Sequence, residues 1–283
     1  TGVQTCALPI LIDANKDIKK QATELLKKAH GKVSNVPPVI PVKLTTYTHS
    51  LTIFIGGAAD KYVFTPGDVP VGWGDFRPIG PTYFVGNYVN NYFATIKGGS
   101  KNAFVKYYGY EEAYVSDTRE LTVNTNKDKK LNAFNDVKNF LKTYPQTQVN
   151  IVGHSLGGWN AAGLAEILHK NNICKVNVLI TIDPVGEILS KIGLGSRTSI
   201  YYSRPKPVFN LWISISCDPK SYEWNNDLIA DLGGQWSSYP SSNSSYYYVT
   251  RYSHADFRLM MQEKIVNNLS VQDILSKELS RIK

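Results

Sequence analysis

A serine held between a strand and a helix, with glycine on either side, is the most chemically suggestive arrangement in this chain. It lies in Gln148-Val-Asn-Ile-Val-Gly-His-Ser-Leu-Gly-Gly-Trp159. Val149, Ile151 and Val152 predict a buried strand, residues 153–157 a tight turn, and Trp159 to His169 a helix. Glycines at both flanks let the chain turn sharply and lift the Ser155 hydroxyl clear of the sheet. A helix N-terminus just beyond the serine brings positive partial charge to the place where an oxyanion would form. The chemistry this predicts is nucleophilic attack on an acyl carbonyl.

A serine hydroxyl is a poor nucleophile at neutral pH and needs a base. The chain holds five histidines: His30, His49, His154, His169 and His254. After a serine elbow of this kind the acid and then the histidine follow in chain order, which leaves His169 and His254. His169 ends the elbow's own helix beside Lys170-Asn171-Asn172 and reads as charge at a helix C-terminus. His254, in Thr250-Arg-Tyr-Ser-His-Ala-Asp-Phe257, is therefore the candidate base.

Two acids close strand-like runs downstream. Val176 to Ile182 is apolar and β-branched, as a strand buried on both faces should be, and ends in Asp183-Pro184. Val208 to Cys217 ends in Asp218-Pro219. Proline cannot extend a ladder, so each acid is presented at the rim, where open α/β sheets hold their ligands. Spacing alone does not separate them. Oxyanion donors are expected from the backbone of Leu156 and from the Gly-Gly loop after the strand Ser50–Ile55, at either Gly57 or Ala58.

The stretch Ile151-Val-Gly-His-Ser-Leu-Gly-Gly158, followed by an acid and by His254, resembles the α/β-hydrolases of lipase and phospholipase type. The resemblance spans about residues 48–268. It implies an α/β-hydrolase fold, with a mostly parallel central sheet, helices on both faces and long lid-like loop insertions. In pancreatic-type lipases and bacterial phospholipase effectors the acid follows the strand after the nucleophile helix, in an Asp-Pro or Asp-Thr setting. Here that position is Asp183, so the resemblance favours Asp183 and keeps Asp218 as the alternative. The implied activity is that of a serine lipase or esterase cleaving carboxylic esters of lipids, phospholipids among them. Acyl transfer or thioester cleavage by the same triad, or a hydrolase-like binding protein without turnover, are the alternatives. The short Gly56-Gly57 loop departs from the His-Gly-Gly-Gly run of some esterases, which leaves the oxyanion donors open.

The remaining sequence must position these groups. At 283 residues and 42% hydrophobic, the chain is long enough for one large core. Its apolar runs are of strand length, far short of the roughly 20 residues of a membrane helix, and a soluble body is expected. The net charge of +8 suits peripheral contact with an anionic lipid surface. It carries no nucleic-acid-binding module. Three cysteines, Cys6, Cys174 and Cys217, form no close pair and imply no disulfide framework. No His or Cys pair has metal-ligand spacing, and neither metal nor cofactor is expected.

Residues 1–10 resemble a translated, non-native leader, which would leave residues 11–283 as a single α/β-hydrolase domain whose true N-terminus is missing. Such a body would suit a secreted bacterial effector, and an effector needs an inhibitor or immunity protein in the producing cell. Residues 11–29 predict an amphipathic helix, Val36 to Pro41 an extended linker, Phe104–Tyr108 a strand, and Leu131 to Tyr144 a helix stopped by Pro145. Residues 60–102, rich in glycine and aromatics, are expected to be an irregular lid or binding wall. Trp224 to Tyr248 reads as a second wall, or, at Ser245–Val249, as an edge strand. A helix from Val271 to Ile282 closes the chain.

Overall fold

Six strands, the central ones rich in β-branched residues and the edge ones in aromatics, pair side by side into one parallel sheet in the computed structural model, which describes residues 47–62, 80–113, 133–187, 204–222 and 227–282. All of these residues belong to the compact unit Leu44–Lys283. The expected leader, the helix at 11–29, the linker at 36–41, the lysines at 127–130 and residues 63–79 of the expected lid lie outside the described residues.

The strands are β1 (His49–Ile55), β2 (Ala103–Tyr108), β3 (Thr147–His154), β4 (Val176–Ile182), β5 (Phe209–Cys217) and β6 (Tyr246–Thr250). Their spatial order is β2-β1-β3-β4-β5-β6, and every pair is parallel. Parallel neighbours require crossovers, which put helices on both faces and bury both sides of the central strands. Side chains accordingly alternate between two cores. Ile53, Ile55, Val149, Ile151, Leu179 and Trp212 pack on one side with α2 (Ala133–Thr143) and α3 (Leu156–Lys170). Phe54, Val152, Ile180, Ile182, Ile213 and Ile215 pack on the other with α1 (Phe84–Ile96), α6 (Phe257–Gln262) and α7 (Val271–Leu279).

The second half of the expected lid is not irregular. Residues 84–96 form α1, which buries Val85, Tyr88, Val89, Phe93 and Ile96 against the sheet. Those residues follow the i, i+3, i+4 spacing of a helix face; aromatic and glycine content, both unfavourable to helices, masked the period. Ser245–Val249 resolves as an edge strand, β6, rather than a wall. Short helices α4 (Asp227–Gly233) and α5 (Ser238–Asn243) join β5 to it. A hairpin of β7 (Lys264–Val266) and β8 (Leu269–Ser270) leads into α7, where Ser270 and Asp273 form a reciprocal capping box. Among the described residues no helix is long and apolar enough to cross a membrane.

From β1 the chain moves to β2 on one side, then returns to β3 on the other. The connections therefore diverge at the carboxyl ends of β1 and β3, the kind of switch point at which open α/β sheets hold their ligands. The Gly-Gly loop follows β1 and Ser155 follows β3, so both stand at that switch point.

Candidate active site

Strand β3 ends at His154 and helix α3 starts at Leu156, so Ser155 alone makes the turn. The helix begins three residues before the Trp159 expected from sequence. Ser155 has φ 57° and ψ −130°, a conformation that side-chain-bearing residues rarely adopt. Its neighbours hold it there. The Ser155 N–H donates to the Ile182 carbonyl at 3.1 Å, and its own carbonyl accepts from Gly158 (2.9 Å) and Val185 (3.0 Å). Gly157 has no room for a side chain, because a Cβ would run into the carbonyl oxygens of Ile55 and Gly56. The elbow is thus wedged against the end of β1.

Gly57 lies against the serine itself. A Cβ on Gly57 would stand 2.6 Å from the Ser155 Cβ and 3.0 Å from its Oγ. Leu156, as the first helical residue, has an N–H for which α-helix geometry offers no intrahelical partner. Ala58 follows Gly57 and is half-buried. Two candidate donor regions for an oxyanion therefore flank one hydroxyl.

Asp183 directly follows β4 at the same rim, with φ 40°. Its carboxylate is almost fully buried and shared between three donors. Oδ2 faces His254 Nδ1 at 2.5 Å; Oδ1 accepts from the Cys217 backbone N–H at 2.9 Å and from the Gln235 amide. Burial alone would raise the Asp183 carboxyl. The hydrogen bond and charge of His254, with the Cys217 and Gln235 bonds, outweigh that and hold it below the usual carboxylate range. A carboxylate on Nδ1 fixes that nitrogen as the protonated one in neutral imidazole and leaves Nε2 as the basic atom.

The other candidates are elsewhere. Asp218 is partly exposed and pairs with Arg251, not with a histidine. His169 is exposed in the last turn of α3. Cys217 is buried and Cys174 partly so, and both are free thiols. Cys6 lies outside the described residues. Among those described, no group of three His, Cys, Asp or Glu side chains could hold a metal ion.

A serine elbow after β3, an acid after β4 and a histidine after β6, on a parallel sheet of this order, identify the architecture. The fold is that of an α/β-hydrolase. No family model and no curated protein matches the chain. Solved structures similar to this chain include a thioesterase from the prodiginine biosynthetic pathway in Streptomyces coelicolor, at 11% identity over 83% of this chain and 91% of that one, TM-score 0.36. A thermostable carboxylesterase cloned from a metagenomic library is similar at 10% identity, over 84% and 81%, TM-score 0.43. An esterase of Pyrobaculum calidifontis is similar at 14%, over 96% and 92%, TM-score 0.42. It is this chain's own strand order and elbow that identify the fold.

Four side chains around the site carried no sequence signal strong enough to single them out. Gln235 reaches Asp183 and also donates to the Cys217 carbonyl at 3.0 Å; a β-bridge to Val185 aligns its backbone. Asp227, the first residue of α4, accepts from the His254 backbone N–H at 2.8 Å. His154 contacts the His254 carbonyl through Nε2 at 2.8 Å. Asp60, buried below the Gly-Gly loop, accepts from the Val85 N–H at the start of α1 (3.2 Å), from Thr82 (3.4 Å) and from the Tyr107 hydroxyl. Burial raises its carboxyl above the ordinary range despite those bonds. The sequence marked only His154, as part of the motif, and gave it no role.

Proposed function

We propose that this chain is a serine hydrolase of carboxylic esters, with lipids as the substrate class. Ser155 attacks the acyl carbonyl while His254 Nε2 takes its proton. Asp183 orients the imidazole and stabilises its charge. The Leu156 N–H and an N–H of Gly57 or Ala58 bind the tetrahedral oxyanion. His254 then returns the proton to the leaving alcohol, and water repeats the sequence to free the acid. The observation that carries this reading is the 2.5 Å contact of Asp183 Oδ2 with His254 Nδ1 on the same rim as Ser155. The net charge of +8 supports anionic phospholipid over neutral fat, through attraction to the lipid surface.

The test pairs the wild type with Ser155→Ala on p-nitrophenyl esters of short to long acyl chain, on an acyl thioester, and on phosphatidylglycerol vesicles. Hydrolysis of long-chain esters or vesicle lipid, lost by orders of magnitude in the variant, supports the proposal. Cleavage of the thioester alone would move the chemistry to thioester hydrolysis. Activity surviving in Ser155→Ala would mean that another group is the nucleophile.

A further inference from the structure

We propose that His154 is a positioning residue that ties the base to the nucleophile. Through Nε2–H it holds the carbonyl of His254, so the elbow that presents Ser155 also fixes the peptide that presents the imidazole. The inference rests on reading Ser155 and His254 as nucleophile and base.

His254 needs such a constraint because it belongs to no strand or helix. It follows β6 in a short turn in which the Ser253 N–H and hydroxyl donate to Asp256 at 3.1 and 3.2 Å. Beyond the bonds of that turn, two contacts from outside fix its backbone. Asp227 accepts from its N–H, and His154 donates to its carbonyl, each at 2.8 Å. The two clamps come from α4 and from the end of β3. A carbonyl only accepts, so His154 Nε2 must carry the proton, which makes this imidazole the Nε2–H tautomer.

His154 is an expensive way to fill space. It is 2% exposed, and its Nδ1 is buried with no hydrogen-bond partner. Its ring packs against His254 at 4.7 Å between centroids and against Phe257 at 5.4 Å, contacts that an aromatic hydrocarbon would make without an orphaned nitrogen. What the imidazole adds is one hydrogen bond, directed at the base. Because residue 154 is covalently next to Ser155, any displacement of the elbow is passed on to His254 and the reacting atoms keep their spacing. Errors of about 1 Å in such spacing cost on the order of 100-fold in rate.

The experiment compares His154→Gln with His154→Asn. A Gln amide puts a donor near the place of Nε2, whereas an Asn amide puts it one atom short; the two are alike in polarity. Each is reacted with a fluorophosphonate probe, beside wild type and Ser155→Ala, and is assayed on p-nitrophenyl butyrate. Labelling and kcat are expected within about tenfold of wild type for Gln and about 10- to 100-fold lower for Asn, with KM within about twofold for both. Equal rates for Gln and Asn overturn the proposal, as does a loss that falls on KM with kcat intact. A wild type that the probe does not label, or that it labels equally in Ser155→Ala, overturns the hydrolase reading first and this inference with it. A reactive wild type with indistinguishable variants overturns this inference alone.

Discussion

Acidifying the protein should expose the buried neutral state of His154 as a loss of stability that one substitution removes. Complete burial, then repulsion from His254, pushes the His154 imidazole down to about 3 from an ordinary 6.5. Geometry gives the same direction, since a second proton would have to sit on Nδ1, where it finds no acceptor. With the folded value depressed, the unfolded chain binds a proton here between pH 6.5 and about 3, and the folded protein does not. Stability is therefore fully present above pH 6.5 and is lost as pH falls toward the folded value, at about 1.4 kcal/mol per pH unit. From pH 7 to pH 4.5 this single group accounts for about 2.5 kcal/mol. In a domain of this size that is about 5 to 10 °C in Tm. Urea unfolding of wild type and His154→Gln, followed by tryptophan fluorescence at both pH values, isolates the effect, because every other titrating group is common to both. Wild type should lose about 2 to 3 kcal/mol more than the variant over this interval. Parallel losses, equal within about 0.5 kcal/mol, would show that His154 accepts a proton in the folded state and would refute the burial argument.

Other substitutions separate the groups of the site. Asp183→Asn should lower kcat by about 10,000-fold, through loss of the His254 tautomer and its charge partner, whereas Asp218→Asn, which breaks only an exposed pair with Arg251, should change kcat by less than about twofold; steady-state kinetics on one ester compares them. Gly57→Ala drives a methyl group into Ser155 and should reduce kcat by about 100-fold or more with circular dichroism unchanged; near-normal kcat would place the oxyanion site elsewhere. Gln235→Leu removes a donor from Asp183, whose depressed carboxyl must then rise. Acid-side stability that Asp183 contributes above its unfolded value will be lost at a higher pH than in wild type, as thermal melts between pH 3 and 6 would register.

How far the sequence reached depended on the range of each signal. The elbow was legible because its cause is local: glycines flanking one serine, a β-branched run before it and a helix after it, all within twelve residues. The strands β4 and β5 and their terminal acids were legible for the same reason, as continuous apolar runs stopped by proline. Helix α1 was hidden because aromatic and glycine content spoke louder than its period, and only packing against Phe54 and Phe257 makes that period count.

Sequence by itself singled out Ser155 as the candidate nucleophile, the rim on which it stands and the histidines and acids that could serve it. What distinguishes the candidate acids Asp183 and Asp218 belongs to tertiary structure. Both end adjacent parallel strands, and what separates them is the direction of each side chain: Asp183 turns inward under His254 and Gln235, while Asp218 turns outward to Arg251. Tertiary structure likewise gave His154, a motif letter in the sequence, a hydrogen-bond partner 100 positions away, and gave Gln235 a carboxylate 52 positions away. Those partners are set by the order and register of parallel strands. That register arises from the burial of whole faces, and no short stretch of residues encodes it.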